Sequence, residues 1–293
     1  MQLFVKDLTV IDFSYLCEER GVVGESWIVD VVLDGSLNDM SMVLDFGVVK
    51  KQIKAIIDDA VDHKLLLPMK SSALSVEDST FHDEHEFVDF TSKSGRYYLQ
   101  SPNQAFAKLD TAEIDITSVT EHVVTIIKAS LPENVEGLTI TLRPENIVGH
   151  LYHYTHGLKK HDGNCQRIAH GHRSTIEIYE NDTRSAELEK LWCERWLDIY
   201  IASDVDAVSH ENVQLSAQAK ASIDENFACF AYQAPQGQFD IAVEKQRLDV
   251  VDCDSTVELL ADFIARQLKK IKPESNIKVV AYEGVGKGAI ASA

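Results

Sequence analysis

Three shortages in this chain each remove a class of function. No stretch of about 18 consecutive apolar residues is present, so there is no candidate for a membrane-crossing helix. Basic side chains are scarce, 28 Lys and Arg against 47 Asp and Glu, and the formal net charge of -19 repels a nucleic-acid backbone or an anionic membrane surface. Cysteine is sparse and odd in number: Cys17, Cys165, Cys193, Cys229 and Cys253 are scattered over 293 residues, which does not read as a disulfide framework. The opening MQLFVKDLTVIDFSY places Asp7 and Asp12 where a signal peptide would need an unbroken apolar stretch, so the expectation is a soluble, cytoplasmic protein. What the chain does have is apolar material, 45% of its residues, enough for two domains of roughly 150 residues each.

The pattern along the chain is strand, strand, helix, helix, strand, and then something similar again. Leu3 to Phe13 and Trp27 to Leu33 read as a hairpin, the second run rich in β-branched residues and ended by the Asp34-Gly35 turn signal. From Asp45 to about His63, Phe46, Val49, Ile53, Ile56, Ile57 and Ala60 recur at steps of three and four, which puts them on one helix face. A second helical pattern runs from about Ser118 to Leu131, and GLTITL (137–142) follows as a strand. In the second half, Leu151 to His156 reads as a strand, Arg173 to Tyr179 as a half-buried alternating one, and Trp196 to Ala202 as its hairpin partner. The helix Thr256 to Lys269 carries Val257, Leu260, Phe263, Ile264 and Leu268 on one face, and Ile277 to Tyr282 is the closing strand. Each half thus has a hairpin, a late helix entered through Ser/Thr with a nearby Glu, and a final strand. The expected boundary gives residues 1–148 and 149–293. Residues 181–240 break the period, with no clear helix where the first half has Asp45 to His63.

Histidine is the compositional anomaly, since six of the eleven (His150, His153, His156, His161, His170, His172) fall within 23 residues. On a strand, His170 and His172 point to one face, and His156 from a neighbouring strand supplies a third imidazole. Three nitrogens leave a fourth metal position open, as in a catalytic zinc site; the competing reading is three surface histidines on a hairpin. Cys165, in the polar loop HDGNCQRIAH next to Arg167 and beside any cation the histidines would bind, has surroundings that favour a reactive thiolate, although an inert buried cysteine remains the alternative.

The stretch Tyr152-His153-Tyr154-Thr155-His156, then Cys165, then His170-Gly171-His172 resembles the zinc and cysteine motif of the 6-pyruvoyl-tetrahydropterin synthase and 6-carboxytetrahydropterin synthase family. In the first half LFVKDLTVIDFSYL, SWIVDVVLDGSL and MVLDFGVVKKQIKAIIDDAVDHKLLL are similar to the same family's first strand, second strand and helix, the last ending in the Asp62-His63 dyad. The resemblance implies an α+β fold of two tandem tunnelling-fold (T-fold) units. Each would be a four-stranded antiparallel sheet with two helices on one face, and the units would pair so that sites form between them in a homo-oligomer.

It also implies Zn2+ on His156, His170 and His172, proton transfer by Cys165 and by His63 oriented through Asp62, and a pterin held by Glu283, Ser255, Thr256 and Glu258. For these last residues a strand-end acid and ordinary helix capping are the plainer readings. By the same resemblance the first half would carry Cys17, Val23 and Glu25 at the histidine positions, and the second half shows no Asp-His pair, so each half keeps what the other lacks. Gly284 replaces the family's usual Thr, and Val285-Gly286-Lys287-Gly288 reads as a flexible ending, either a plain tail or a segment able to bind a phosphate. The implied activity is a lyase acting on 7,8-dihydroneopterin triphosphate or a related dihydropterin. The alternatives are a non-catalytic pterin or purine binder and an oligomeric structural protein that binds metal adventitiously.

Overall fold

The computed structural model describes residues 1–160 and 166–293, so Cys165 lies outside the described residues. The architecture is mixed α+β. The first half runs β1 (Gln2–Cys17), β2 (Gly21–Gly35), α1 (Phe46–Val48), a π-helical stretch Val49–Ile53, α2 (Lys54–Ala60), β3 (Leu65–Pro68), β4 (Leu74–Asp78), β5 (His85–Thr91), β6 (Arg96–Pro102), β7 (Phe106–Leu109), α3 (Ile116–Lys128) and β8 (Val135–Pro144). The second half runs β9 (Leu151–Leu158), β10 (Arg167–Glu180), β11 (Thr183–Arg184), α4 (Ala186–Arg195), β12 (Ile199–Ser203), β13 (Ala207–Val208), α5 (Ala217–Ser222), β14 (Phe227–Ala234), β15 (Gly237–Glu244), β16 (Leu248–Val251), α6 (Val257–Ile271), β17 (Ile277–Tyr282) and β18 (Gly288–Ser292).

The two halves repeat one strand order. The first sheet reads β7-β3-β1-β2-β8 and the second β16-β12-β9-β10-β17-β18, the final strand being an addition. Both sheets are mixed and wider than four antiparallel strands: β1 pairs in parallel with β3 and β3 with β7, as β9 does with β12 and β12 with β16. The expectation that Trp196 to Ala202 is the hairpin partner of Arg173 to Tyr179 is therefore wrong. The helix α4 intervenes and carries the chain past β10 to the far side of β9, where β12 pairs parallel to β9 and not with β10 at all. That helix is illegible in the sequence because AELEKLWCER buries only Leu188, Glu189, Trp192 and Cys193, leaves Leu191 exposed and is otherwise mostly charged. The chain also does not close on β17, since Gly288–Ser292 returns antiparallel to it.

Between β3 and β7 the first half inserts β4 to β6, and between β12 and β16 the second half inserts β13 to β15. The insertions join through β6 and β15 into one sheet, β13-β14-β15-β6-β5-β4, which crosses from one half to the other. Its inner face brings Phe90, Leu99, Phe239 and Ile241 onto Leu16, Leu65, Ile168 and Tyr200 of both halves. Each main sheet has its own core. Ile53, Ile57, Val119, Val123 and Ile127 cover the first, and Leu188, Trp192, Leu260, Ile264 and Leu268 the second.

Register makes the equivalence of the halves specific. Ser14 stands opposite Gly24 and Leu65, and Thr155 stands opposite Gly171 and Tyr200. Ser14 and Thr155 meet each other, hydroxyl to hydroxyl at 2.8 Å. Gly24 and Gly171 lie back to back: a Cβ on Gly171 would fall 2.6 Å from the Gly24 Cα, and one on Gly24 would fall 2.0 Å from the Tyr154 carbonyl oxygen. Equivalent residues touch, as a twofold relation between the halves requires. Only glycine lets the two hairpins approach this closely.

Candidate metal centre

His156 on β9 pairs across the ladder with His170 on β10, and His172 follows two residues later on the same face. All three are buried, and their nearest ring nitrogens lie within 4.8 Å of one another. The surroundings choose which nitrogens are left over. His156 Nδ1 lies 3.0 Å from the Ser255 hydroxyl, which itself donates to the Gly157 carbonyl at 2.5 Å, so the ring donates and Nε2 is left without a hydrogen-bond partner among the described residues. His172 Nδ1 lies 3.2 Å from Asp12 Oδ1, a charge contact rather than a directed hydrogen bond, and neither ring nitrogen has a hydrogen-bond partner among the described residues. Buried polar atoms are almost always satisfied, and such orphans converging on one point fit a metal ion. Burial, with the neighbouring His172, pushes His156 down to about 3; burial likewise pushes His170 well below the ordinary histidine range. Neutral imidazole is the form that binds metal.

The first half supplies the rest of the wall. Asp62 and His63 follow α2, where His63 takes a left-handed conformation, φ 57°, and its amide donates to the Asp12 carbonyl at 2.8 Å. Asp62 Oδ2 lies 2.7 Å from His63 Nδ1, while its Oδ1 accepts the Asp12 amide at 2.7 Å, so the carboxylate fixes the ring and is itself fixed by β1. The His63 ring stacks on His170 with centroids 4.5 Å apart and planes inclined by 13°. Asp12 is the joint of the whole arrangement. Burial raises its carboxyl, but His172, Lys287 and the Ser26 hydroxyl outweigh that and hold it well below the usual carboxylate range. A carboxylate against a ligand imidazole orients the ring and raises its basicity.

From the far side, Glu283, just beyond β17, brings Oε1 to 3.7 Å from His172 Nε2. Thr256 is the N-cap residue of α6 but makes no capping bond, and Ser255 is spent on His156 rather than on the helix end. The two line a small cavity with Gly157, Tyr200, Tyr232 and Asp254. Glu258 is exposed in the first turn of α6, and no hydrogen bond or ion pair ties it to the triad among the described residues. The structure thus gathers His156, His170, His172, Asp62, His63, Ser255 and Glu283 within one chain. Sequence reasoning missed Asp12 and Ser26 at the site, and it read Lys287 as part of a flexible ending where the structure pairs it with Asp12. The signal for Asp12 was an acid inside an otherwise apolar strand, which is costly unless it is paired.

The equivalent place in the first half cannot hold a metal in the same way. The ladder pairs Tyr15 with Val23 and Phe13 with Glu25, just as it pairs His156 with His170 and Tyr154 with His172. Tyr15, Val23 and Glu25 therefore occupy the histidine positions. This corrects Cys17, which pairs with Gly21 at the hairpin end. Pro144 stands where the other half has Glu283, as the pairs Val29–Leu142 and Ile176–Ala281 show. Asp198 takes the position of His63 with the same left-handed backbone, φ 53°, and binds Arg20 at 2.6 and 2.9 Å.

With this geometry in view, comparison with known proteins is informative on one stretch. Residues 17–138 match the family described as 6-pyruvoyl tetrahydropterin synthase. The matched stretch contains the Asp62-His63 pair and ends in β8, so it spans most of the first half. Among solved structures, 6-pyruvoyl tetrahydropterin synthase from Plasmodium vivax is 15% identical, with a TM-score of 0.31 over 49% of this chain and 97% of that one. The Plasmodium falciparum protein is 17% identical, with a TM-score of 0.34 over 48% and 90%. No curated protein matches the chain. No helix among the described residues is long and apolar enough to cross a membrane.

Proposed function

We propose that the chain is a zinc-dependent lyase of the 6-carboxytetrahydropterin synthase type. It would consist of two tandem tunnelling-fold units, residues 1–148 and 149–293, and act on 7,8-dihydroneopterin triphosphate or a related dihydropterin. The observation that supports this best is the Asp62-His63 pair of the first half stacked on the buried histidine triad of the second. Neither half holds both parts, and the fold brings them together in one chain.

Zinc on His156, His170 and His172 would supply a Lewis acid for the side-chain oxygens of the substrate. The chain's own groups do the rest. His63, oriented by Asp62, moves a proton on one face of the substrate, and Cys165 moves one on the other. Glu283 accepts paired hydrogen bonds from the 2-amino and ring N–H groups of the pterin. Ser255 acts through His156 by holding its Nδ1–H, and Thr256 adds to the wall of the cavity beside it. The protein works as a cytoplasmic homo-oligomer.

Incubating the zinc-loaded protein with 7,8-dihydroneopterin triphosphate and analysing the products tests this reading. Carboxytetrahydropterin with acetaldehyde and triphosphate is the expected outcome. Tight pterin binding with no product would instead make this a binding protein that kept the ligand set.

A further inference from the structure

The first half's counterpart of the metal site is an open cavity of about 460 Å3, whose walls include Tyr15, Glu25, Trp27, Ile114, His153 and Arg173. It is built on the plan of the metal site with the chemistry exchanged. The ladder pairs Asp12 with Ser26 and His153 with Arg173, so His153 stands where the metal half has Asp12, and Arg173 where it has Ser26. Asp115 and Thr256 are the N-cap residues of α3 and α6, which puts Ile114 in the place of Ser255. With Pro144 in the place of Glu283, the carboxylate that would read N–H donors is gone, and a guanidinium has come in.

The acids that remain are spent on the protein. Asp198 takes two bonds from Arg20, and the Asp115 carboxylate accepts the Ser118 amide as a helix cap. The Glu25 carboxylate accepts the Ser26 amide at 3.3 Å and faces His153. Arg173 is different. Its Nη1 donates to the Glu145 carbonyl at 2.9 Å, but among the described residues no hydrogen bond engages Nε or Nη2 and no ion pair holds the charge. Nε–H and Nη2–H lie in one plane, at the spacing of two carboxylate oxygens. Arg20, Arg96, Arg143, Arg184, Arg195 and Arg266 each pair with an acid of this strongly acidic chain. An arginine fork left open on a cavity wall is a vacancy of the kind a ligand fills.

We propose that this cavity is a second ligand site, which binds a small organic carboxylate: the Arg173 fork takes the acid group, and the apolar body lies along Ile114, Ile116 and Pro144. One free guanidinium edge balances one negative charge, which favours a carboxylate over a phosphate dianion. The site has neither the histidine triad nor Glu283, so it works without the metal and does not depend on the pterin reading.

The test is isothermal titration calorimetry of the full chain with benzoate, with benzamide, which has the same ring and no charge, and with phenyl phosphate. Wild type is measured zinc-loaded and after zinc removal by a chelator, beside zinc-loaded Arg173→Met and Pro144→Glu. Benzoate is expected to bind once per chain, about tenfold or more tighter than benzamide, and equally with and without zinc. Arg173→Met is expected to weaken benzoate about tenfold, to leave benzamide within about twofold and to keep zinc stoichiometric. Pro144→Glu, at an exposed position on the cavity wall, sets a second carboxylate against the bound one and is expected to weaken benzoate by a similar factor. It decides the matter if circular dichroism shows that Arg173→Met does not fold. Benzoate that binds no better than benzamide, that leaves with the zinc, or that is indifferent to these substitutions overturns the proposal. Phenyl phosphate binding more tightly than benzoate overturns the choice of a carboxylate. None of these results bears on the pterin reading, which product analysis tests separately.

Discussion

His63 occupies a backbone conformation that non-glycine residues rarely adopt, and the chain spends three contacts on keeping it there. The amide is held by Asp12, the ring nitrogen by Asp62, and the ring face by His170. The counterpart Asp198 has the same backbone, φ 53°, so the fold sets this conformation in both halves, and it is the ring's stacking on His170 that makes His63 a candidate acid or base. Replacing His63 with alanine is expected to lower lyase turnover by roughly 10²- to 10⁴-fold, the usual worth of a positioned acid or base. Zinc should stay stoichiometric by metal analysis, because the triad nitrogens are untouched. Unchanged turnover would mean that the dyad belongs to structure alone. Ser255→Ala should show the opposite split. Without the hydroxyl, His156 loses one partner of its Nδ1–H, and zinc affinity is expected to fall by about 10- to 100-fold, read by chelator competition. Glycine matters at the same scale. A methyl group on Gly171 has no space between Ser14 and Gly24, and Gly171→Ala is expected to cost about 3 kcal/mol or more in urea denaturation.

At the scale of elements, periodicity found what packs by one face and missed what packs by other means. The helices over 46–60 and 257–271, and the strands around His156 and His170, were legible because their apolar residues recur at a regular step. The hairpin of β1 and β2 is longer than its apolar alternation suggests. Asp12, Ser14, Glu25 and Ser26 are buried polar residues, each with a partner in the other half (His172, Thr155, His153 and the Arg173 amide), so the pattern breaks where the halves meet. The two insertions were unreadable as one sheet because β6 and β15 pair across more than a hundred residues of sequence, and local signals carry no information about such a partner. The helix α3 shows a smaller displacement. Its capping residue is Asp115, in a reciprocal box with Ser118, rather than Ser118 itself. The triad was legible from spacing alone, whereas the inward course of the Lys287 turn depends on packing against Asp12 that no local pattern encodes.

For the whole molecule, the seam between the halves holds a second ionisable pair with a testable signature. Glu25 and His153 face each other at 3.4 Å, both buried, on the first half's counterpart of the metal site. Burial pushes Glu25 up to about 7 and His153 down to about 4. In the unfolded chain the ordinary values are about 4.3 and 6.5. Between those two values the unfolded chain carries its proton on His153 and the folded protein carries it on Glu25. The count is equal, so this pair imposes no slope on stability in that range. Single substitutions expose the hidden halves. In His153→Asn only Glu25 remains. Its folded pKa lies above its unfolded one, so stability should fall as pH rises from about 4.5 to 7, by an amount on the order of 3 kcal/mol. In Glu25→Gln only His153 remains. Its folded pKa is the lower one, so stability should rise over about pH 4 to 6.5 by a similar amount. Urea midpoints for wild type and both variants at pH 5, 6 and 7.5 measure this directly. Opposite slopes in the two variants would show that the seam tolerates its buried acid because a buried base beside it exchanges the same proton; parallel slopes would place the pH dependence elsewhere in the fold.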